Sequence, residues 1–321
     1  MLVRIVKDWD WPDVMRQTPG GKGVWDGIRF TCDPVDECDV LVMLNNRMKT
    51  DVTVRCPREN IWAIMQEPYV RGFNDWMAEG LESYAKVFSH YRPEKTDKFV
   101  VSHPALPWHV NRTFDELVCA DVPEKSKPLS WIVGSVADLP GHFKRLAFLK
   151  HLQRKASLPI DLYGKAVRYI DDKWDGLAPY RYSLAVENSR STDYWTEKFA
   201  DCILAWSVPL YDGCVNLEEY FPPGSFIRID ITKPEKTVAD IKDVLEHDRW
   251  ESRLPALEEA RNLILHKYQL FPYLTSLIPT YAVGQKGRER IVIPAYRRSN
   301  KVKLLRAMFK FRRMFFRMVY R

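Results

Sequence analysis

Three observations predict an α/β protein built on parallel sheets. Beyond residue 127, short apolar runs at 129–136, 159–164, 181–187, 206–211 and 225–229 alternate with helical segments at 142–156, 194–205, 235–247 and 251–268. That is the rhythm of successive βαβ units. The first 127 residues add strand candidates at 2–6, 40–44, 61–65, 84–89 and 99–102. Finally, residues 182–213 join a strand, a polar loop and a charged helix start, which puts hydrogen-bonding groups where open α/β sheets bind ligands.

Each element has a local reason. The proline- and charge-rich stretch 123–128 (PEKSKP) has linker composition, so a boundary is expected near 127. Residues 129–136 (LSWIVGSV) then read as a strand, and Phe143, Leu146, Ala147, Leu149 and Leu152 fall at helical spacing in a helix that Arg145 opens. Residues 159–164 (PIDLYG) give the next strand. The run 182–186 is apolar and ends at Glu187-Asn188-Ser189. Ser191-Thr192-Asp193 can cap a helix, and Thr196-Glu197-Lys198 falls on its first turns, with Phe199, Ile203 and Leu204 continuing it. Helix-start N–H groups attract anions, and Lys198 adds a full charge. On spacing alone, a phosphate site and an ordinary strand-loop-helix with solvated charges weigh equally.

Glu187-Asn188-Ser189, Tyr194, Thr196-Glu197-Lys198, Val208-Pro209-Leu210 and Gly213, followed by 221–227 (FPPGSFI), resemble in order and spacing the signature of the family 10 fucosyltransferases of bacterial type. The helix with Arg145 and the strand ending in Tyr163-Gly164 resemble the family's preceding block. The resemblance implies the GT-B arrangement, two Rossmann-like domains facing a cleft. Residues 1–127 then bind acceptor, 128–283 bind the GDP-sugar, and 284–321 form a basic amphipathic tail. The implied activity is inverting, α-1,3/4-type transfer of L-fucose from GDP-fucose to a hydroxyl of a glycan acceptor. Alternatives are another nucleotide sugar on the same scaffold, or a non-catalytic, membrane-docking carbohydrate-binding protein.

Such a transfer needs a base for the acceptor hydroxyl and positive groups for the departing diphosphate. The resemblance puts Arg145 and Lys198 on the diphosphate. It puts Glu187, Asn188, Tyr194 and Glu197 on donor phosphate, ribose or fucose hydroxyls. Tyr163 borders the nucleotide, unless it is simply a buried tyrosine. Glu67, at the end of the 61–65 strand, matches the family's general base, although its context is Gln-Glu-Pro where the family commonly has Gly-Glu-Asn. The competing role for Glu67 is to cap a turn before Pro68. No tightly bound cofactor and no metal are expected. Asp8 and Asp10, and Asp171, Asp172 and Asp175, read as surface features.

Composition narrows the classes further. A chain of 321 residues is comfortable for two domains. The first 30 residues interleave charged and apolar side chains, which predicts neither a signal peptide nor a spanning helix and hence a cytoplasmic location. The six cysteines show no C-x-x-C spacing, which argues against zinc. Residues 301–321 hold eight Lys/Arg and no Asp/Glu, so the first 300 carry a net −1 against +7 for the whole chain, which disfavours nucleic-acid binding by the body. In that tail Lys303, Arg306, Lys310, Arg313 and Arg317 recur at helical spacing opposite Leu304, Met308, Phe311, Phe315 and Met318. The pattern predicts a helix lying in the headgroups of an anionic membrane, at its inner face; packing on the body or an RNA-binding arm are the alternatives.

Overall fold

The computed structural model describes residues 1–155, 157–165, 167–284 and 287–319. The expected helix end at 156, the last tail residues 320 and 321, and the tail side chains Phe311, Arg312, Arg313, Phe315, Phe316, Arg317 and Val319 lie outside the described residues.

The N-terminal sheet is built from β1 (Leu2–Val6), β2 (Val24–Trp25), β3 (Ile28–Thr31), β4 (Val40–Leu44), β6 (Ile61–Ile64), β7 (Lys86–Ser89) and β8 (Phe99–Val101), while β5 (Val52–Cys56) lies outside it. Its order is β2-β3-β1-β4-β6-β7-β8, parallel except for the β2–β3 pair. Every residue of β4 and β6 is buried, as parallel strands covered on both faces require. The core against this sheet includes Leu41, Met43, Ala63, Met65, Trp76, Met77 and Val87.

After the short helix α1 (Phe114–Cys119) comes the second sheet, with β9 (Lys127–Ile132), α2 (Pro140–Lys155), β10 (Ile160–Tyr163), β11 (Tyr180–Val186), α3 (Glu197–Leu204), β12 (Val208–Asp212) and β13 (Ile227–Arg228). It is wholly parallel, in the order β10-β9-β11-β12-β13. The chain runs outward from β9 to β10 on one side and through β11 on the other. Strand order therefore reverses between β9 and β11, and the crevice at their carboxyl ends is where such sheets take ligands.

The helices α4 (Pro234–His247), α5 (Leu254–Leu263) and α6 (Leu270–Tyr281) follow, with a π-helical turn at Ile264–Tyr268 between the last two. The segment expected as one helix over 251–268 is thus a 3-10 turn, an α-helix and a π turn. Next, β14 (Glu289–Ile293) pairs antiparallel with β5, and α7 (Asn300–Val319) ends the chain.

The chain groups into two units: Met1–Pro107, Arg112–Val118 and His266–Phe309 in one, and Trp108–Asn111, Cys119–Leu265 and Lys310–Arg321 in the other. A sequential split at 127 and 283 differs from this: 108–111 and 119–127 belong to the second unit, and 266–283 and 284–309 to the first. Within the presumed linker, Lys125 Nζ donates to the carbonyls of Ala178 (2.7 Å) and Ala205 (2.8 Å), which ties 119–127 to the second unit. At the other end, the expected tail contributes β14 to the first unit, where Arg288 also pairs with Glu37 at 2.9 Å and with Asp39. Within α7, Val302 is buried and Phe309 lies over Gly72 and near Phe73, while Leu304, Met308, Met314 and Met318 are exposed. The single apolar side read from the sequence is therefore divided between the body and solvent.

Candidate active site

At the switch point, β11 is followed directly by Glu187 and Asn188. Glu187 is buried, and its carboxylate accepts from Thr196 N at 2.8 Å and from Thr196 Oγ1 at 2.9 and 2.8 Å. Thr196 is the N-cap of α3, its hydroxyl accepting from Lys198 N at 3.3 Å. A strand-end carboxylate thus holds the cap of the next helix, which explains the Glu-Asn and Thr-Glu-Lys groups standing nine residues apart. Gly213 makes room for this: a Cβ there would lie 2.4 Å from Glu187 Cγ. From below, α3 is wedged by aromatics, with the Phe199 ring 4.7 Å from Phe221 and 5.9 Å from Phe226. The FPPGSFI block therefore supports the helix.

Across the switch point, α2 brings Arg145 in on its second turn rather than opening the helix. Its Nη1 donates to Asn188 Oδ1 at 2.6 Å and its Nη2 to the Gly134 carbonyl at 3.3 Å, while Nε is buried without a partner. The residue is 4% exposed, and among the described residues no carboxylate is in ion-pair contact with it. Burial lowers its pKa, opposed by Glu187 and Glu197. Close approach of α2 to β11 depends on Gly141, where a Cβ would fall 2.0 Å from the Asn188 carbonyl oxygen.

Lys198 has a different environment. Its Nζ lies 3.0 Å from Glu197 Oε1, 3.1 Å from Thr196 Oγ1 and 3.5 Å from Glu187 Oε2. Burial works against its charge, but Glu197 and Glu187 outweigh this and raise its pKa. Burial likewise opposes ionisation of Glu197, yet Lys198, His109 and Lys173 hold its carboxyl well below the usual range. Glu187 is pushed upward, chiefly by burial. Two carboxylates already share the Lys198 charge, whereas the guanidinium of Arg145 has only neutral acceptors in contact. Arg145 is the stronger anion site.

Of the residues expected from the sequence, Arg145, Glu187, Asn188, Glu197 and Lys198 converge here. Tyr194 is buried on the loop before α3. Tyr163 turns elsewhere: its hydroxyl is 2.6 Å from that of Tyr180, which donates to Asp161 at 2.5 Å. A buried phenol seeks a partner, and this one finds it within the sheet. Glu67 lies just past β6 and is exposed. Asp172 accepts from Trp174 N and Asn111 N, both at 2.9 Å, so it caps a turn. Among the described residues no group of three or more His, Cys, Asp or Glu is arranged to hold a metal.

Sequence reasoning missed an outer ring. Asp201, on α3, accepts from His109 N (2.7 Å) and from Lys173 Nζ (2.9 Å), and His109 Nδ1 lies 4.0 Å from Glu197. A cavity of about 30 Å³, room for about one water, is lined by Lys173, Ser183, Lys198, Asp201 and Cys202. His142 also borders the site. Its one sequence signal is its place three residues before Arg145, on the same helix face.

Residues 122–252 match the profile of glycosyltransferase family 10 (fucosyltransferase), C-terminal. A putative fucosyltransferase-like protein of Arabidopsis thaliana is 38% identical over 116 residues, 35% of this chain and 21% of that one. The 4-galactosyl-N-acetylglucosaminide 3-alpha-L-fucosyltransferase FUT6 of Homo sapiens is 27% identical over 217 residues, 62% of this chain and 57% of that one. The chain thus spans less than two thirds of the length of either relative. A solved structure described as trehalose-6-phosphate from E. coli bound with UDP-2-fluoro glucose matches with a TM-score of 0.50 at 10% identity, over 79% of this chain and 75% of that one, a likeness of fold. Residues 122–252 are therefore similar to the C-terminal segment of glycosyltransferase family 10, in a chain of GT-B fold.

Proposed function

We propose that this chain is an inverting fucosyltransferase that moves L-fucose from GDP-fucose to a hydroxyl of a glycan acceptor. The observation that carries the reading is Arg145, a guanidinium 4% exposed at the strand-order switch point, with an unpartnered Nε and no carboxylate contact among the described residues. A buried cation of this kind calls for an anionic ligand, and a diphosphate at that crevice provides one. The names of the relatives indicate the sugar and the linkage: the human protein is a 3-alpha-L-fucosyltransferase of 4-galactosyl-N-acetylglucosaminide.

In this reading Glu67 takes the proton from the acceptor hydroxyl. The oxygen attacks the anomeric carbon, and the bond to the β-phosphate breaks with its electron pair leaving on GDP. Arg145 and Lys198 stabilise that charge, and Glu197 orients Lys198 while offering an oxygen to donor hydroxyls. One displacement needs no enzyme nucleophile, so configuration inverts. Because side chains neutralise the diphosphate, activity is expected to survive exhaustive chelation; abolition restored by manganese would count against this assignment.

Transfer of radiolabel from GDP-fucose to N-acetyllactosamine-type acceptors tests the proposal directly. Turnover with a different sugar nucleotide, and none with GDP-fucose, would replace the donor. The exposed Leu304, Met308, Met314 and Met318 on a tail rich in Lys and Arg support a peripheral site on the anionic cytoplasmic face of a membrane. Among the described residues no helix is long and apolar enough to cross one. Sedimentation with phosphatidylglycerol vesicles but not with phosphatidylcholine vesicles is the expected result.

A further inference from the structure

His142 stands in the first turns of α2, is buried, and has no part in the chemistry above. Its Nδ1 accepts from the backbone N–H groups of Asp138 and Leu139, both at 3.1 Å. A ring nitrogen that receives two N–H donors carries no proton, so the imidazole is the neutral tautomer with its proton on Nε2. The Asn188 side chain lies beside the ring and opposes the lowering of its pKa, as an acceptor facing the ring does. That amide is held from the other side by Arg145 Nη1 at 2.6 Å. A guanidinium can only donate, and so can this Nε2–H; both therefore require the amide oxygen of Asn188.

We propose that His142 is a positioning residue for the donor diphosphate: together with Arg145 it fixes the Asn188 side chain with its oxygen inward, so that the amide N–H groups are what the site presents to phosphate oxygens. The backbone geometry agrees, because Gly141 packs directly on the Asn188 carbonyl and so sets the ring beside that amide. Charge agrees as well. Arg145 on the same helix and Lys198 on α3 face the ring, and burial, with those two charges, lowers its pKa to about 4. The histidine thus stays a neutral donor through the physiological range and adds no third positive charge that would compete with the ligand's other contacts.

The inference rests on the donor-site reading, and GDP affinity measured by calorimetry separates the two. Wild type is expected to bind GDP. His142→Ala is expected to weaken that binding about tenfold, since a freely rotating amide offers either end, and Asn188→Ala to weaken it by at least as much. The double variant should bind no more weakly than Asn188→Ala alone, because the histidine acts only through the amide. His142→Asn keeps an acceptor for the 138–139 turn and a donor for the amide, and should recover part of the loss; it also serves if the alanine variant fails to fold. Unchanged affinity in His142→Ala, or a loss that adds in full to that of Asn188→Ala, overturns the inference while leaving the donor site standing. Failure of wild type to bind GDP overturns both.

Discussion

The carboxyl edges of the two sheets are built in opposite ways. In the second sheet, the ligand-facing groups are bonded to one another: Glu187 to Thr196, Thr196 to Lys198, Arg145 to Asn188. At the first sheet's edge, the expected catalytic carboxylate, Glu67, is exposed just past β6. The buried cluster serves a ligand whose charge must be met by fixed groups, since preorganised dipoles and cations lose nothing to reorganisation when charge develops. A base for an incoming alcohol needs reach and a suitable pKa more than rigidity. Substitutions at the first edge should therefore affect turnover alone, and those at the second should affect binding, turnover and stability together.

The largest effect should come from Glu67→Gln, which keeps shape and removes the base. A kcat loss of about 10³-fold is expected, within the range for general bases, with GDP affinity and melting temperature unchanged. A loss of stability on that substitution would instead make Glu67 a structural turn residue. Arg145→Ala should follow, lowering kcat/KM by roughly 10² to 10³. Unlike the first variant it should weaken GDP binding, and Arg145→Lys should recover little, because a lysine cannot reach Asn188 and Gly134 at once. Equal losses in Lys198→Ala and Arg145→Ala would contradict the unequal sharing of their charges.

A third test acts on shape. With a Cβ 2.0 Å from the Asn188 carbonyl, Gly141→Ala must push α2 away from β11 and carry Arg145 with it. The cost is expected at about 1–3 kcal/mol, as for overpacking elsewhere, with GDP affinity down about tenfold. Crystals of that variant showing Arg145 still on Asn188 would mean that the contact is less binding than its geometry implies.

The sequence showed the buried edge better than the exposed one, for physical reasons. Strand ends in a covered parallel sheet are marked by an abrupt change from apolar to polar residues, so Val186-Glu187-Asn188 is visible, whereas the helix cap, expected at Ser191-Thr192-Asp193, is Thr196. Partners brought together by topology are not visible. The strand β14 lies over 230 residues from β5, and although both alternate buried and exposed side chains, neither was expected as a strand from the sequence alone. His142 and Tyr163 show the limit from both sides. His142 has no signal beyond its helical spacing to Arg145 until Asn188 is placed against it, and Tyr163 passes for a site residue until Tyr180 claims its hydroxyl. Likewise, periodicity in α7 showed an apolar side but not that Val302 and Phe309 would turn to the body.

Near neutral pH the smallest effect is one of pH, and it too separates the edges. Burial lowers the pKa of His142 to about 4, with Arg145 and Lys198 adding to the shift, and lowers that of His109 to about 4, with Lys173 and Lys198 adding while Glu197 and Asp201 oppose. Both belong to the second unit. Since the unfolded chain takes up these protons near pH 6.5 and the folded one does not until about pH 4, the stabilisation is complete above 6.5 and is lost as pH falls through that window. A shift of this size corresponds to roughly 3 kcal/mol per histidine at the acid end, and to less than half of that at pH 5.5, or a few degrees in melting temperature. The melting temperature should therefore fall between pH 6.5 and 5, and His142→Asn should flatten the curve. Glu67→Gln should leave its shape untouched; if it steepens or flattens the curve, the two edges are coupled and the contrast between them fails.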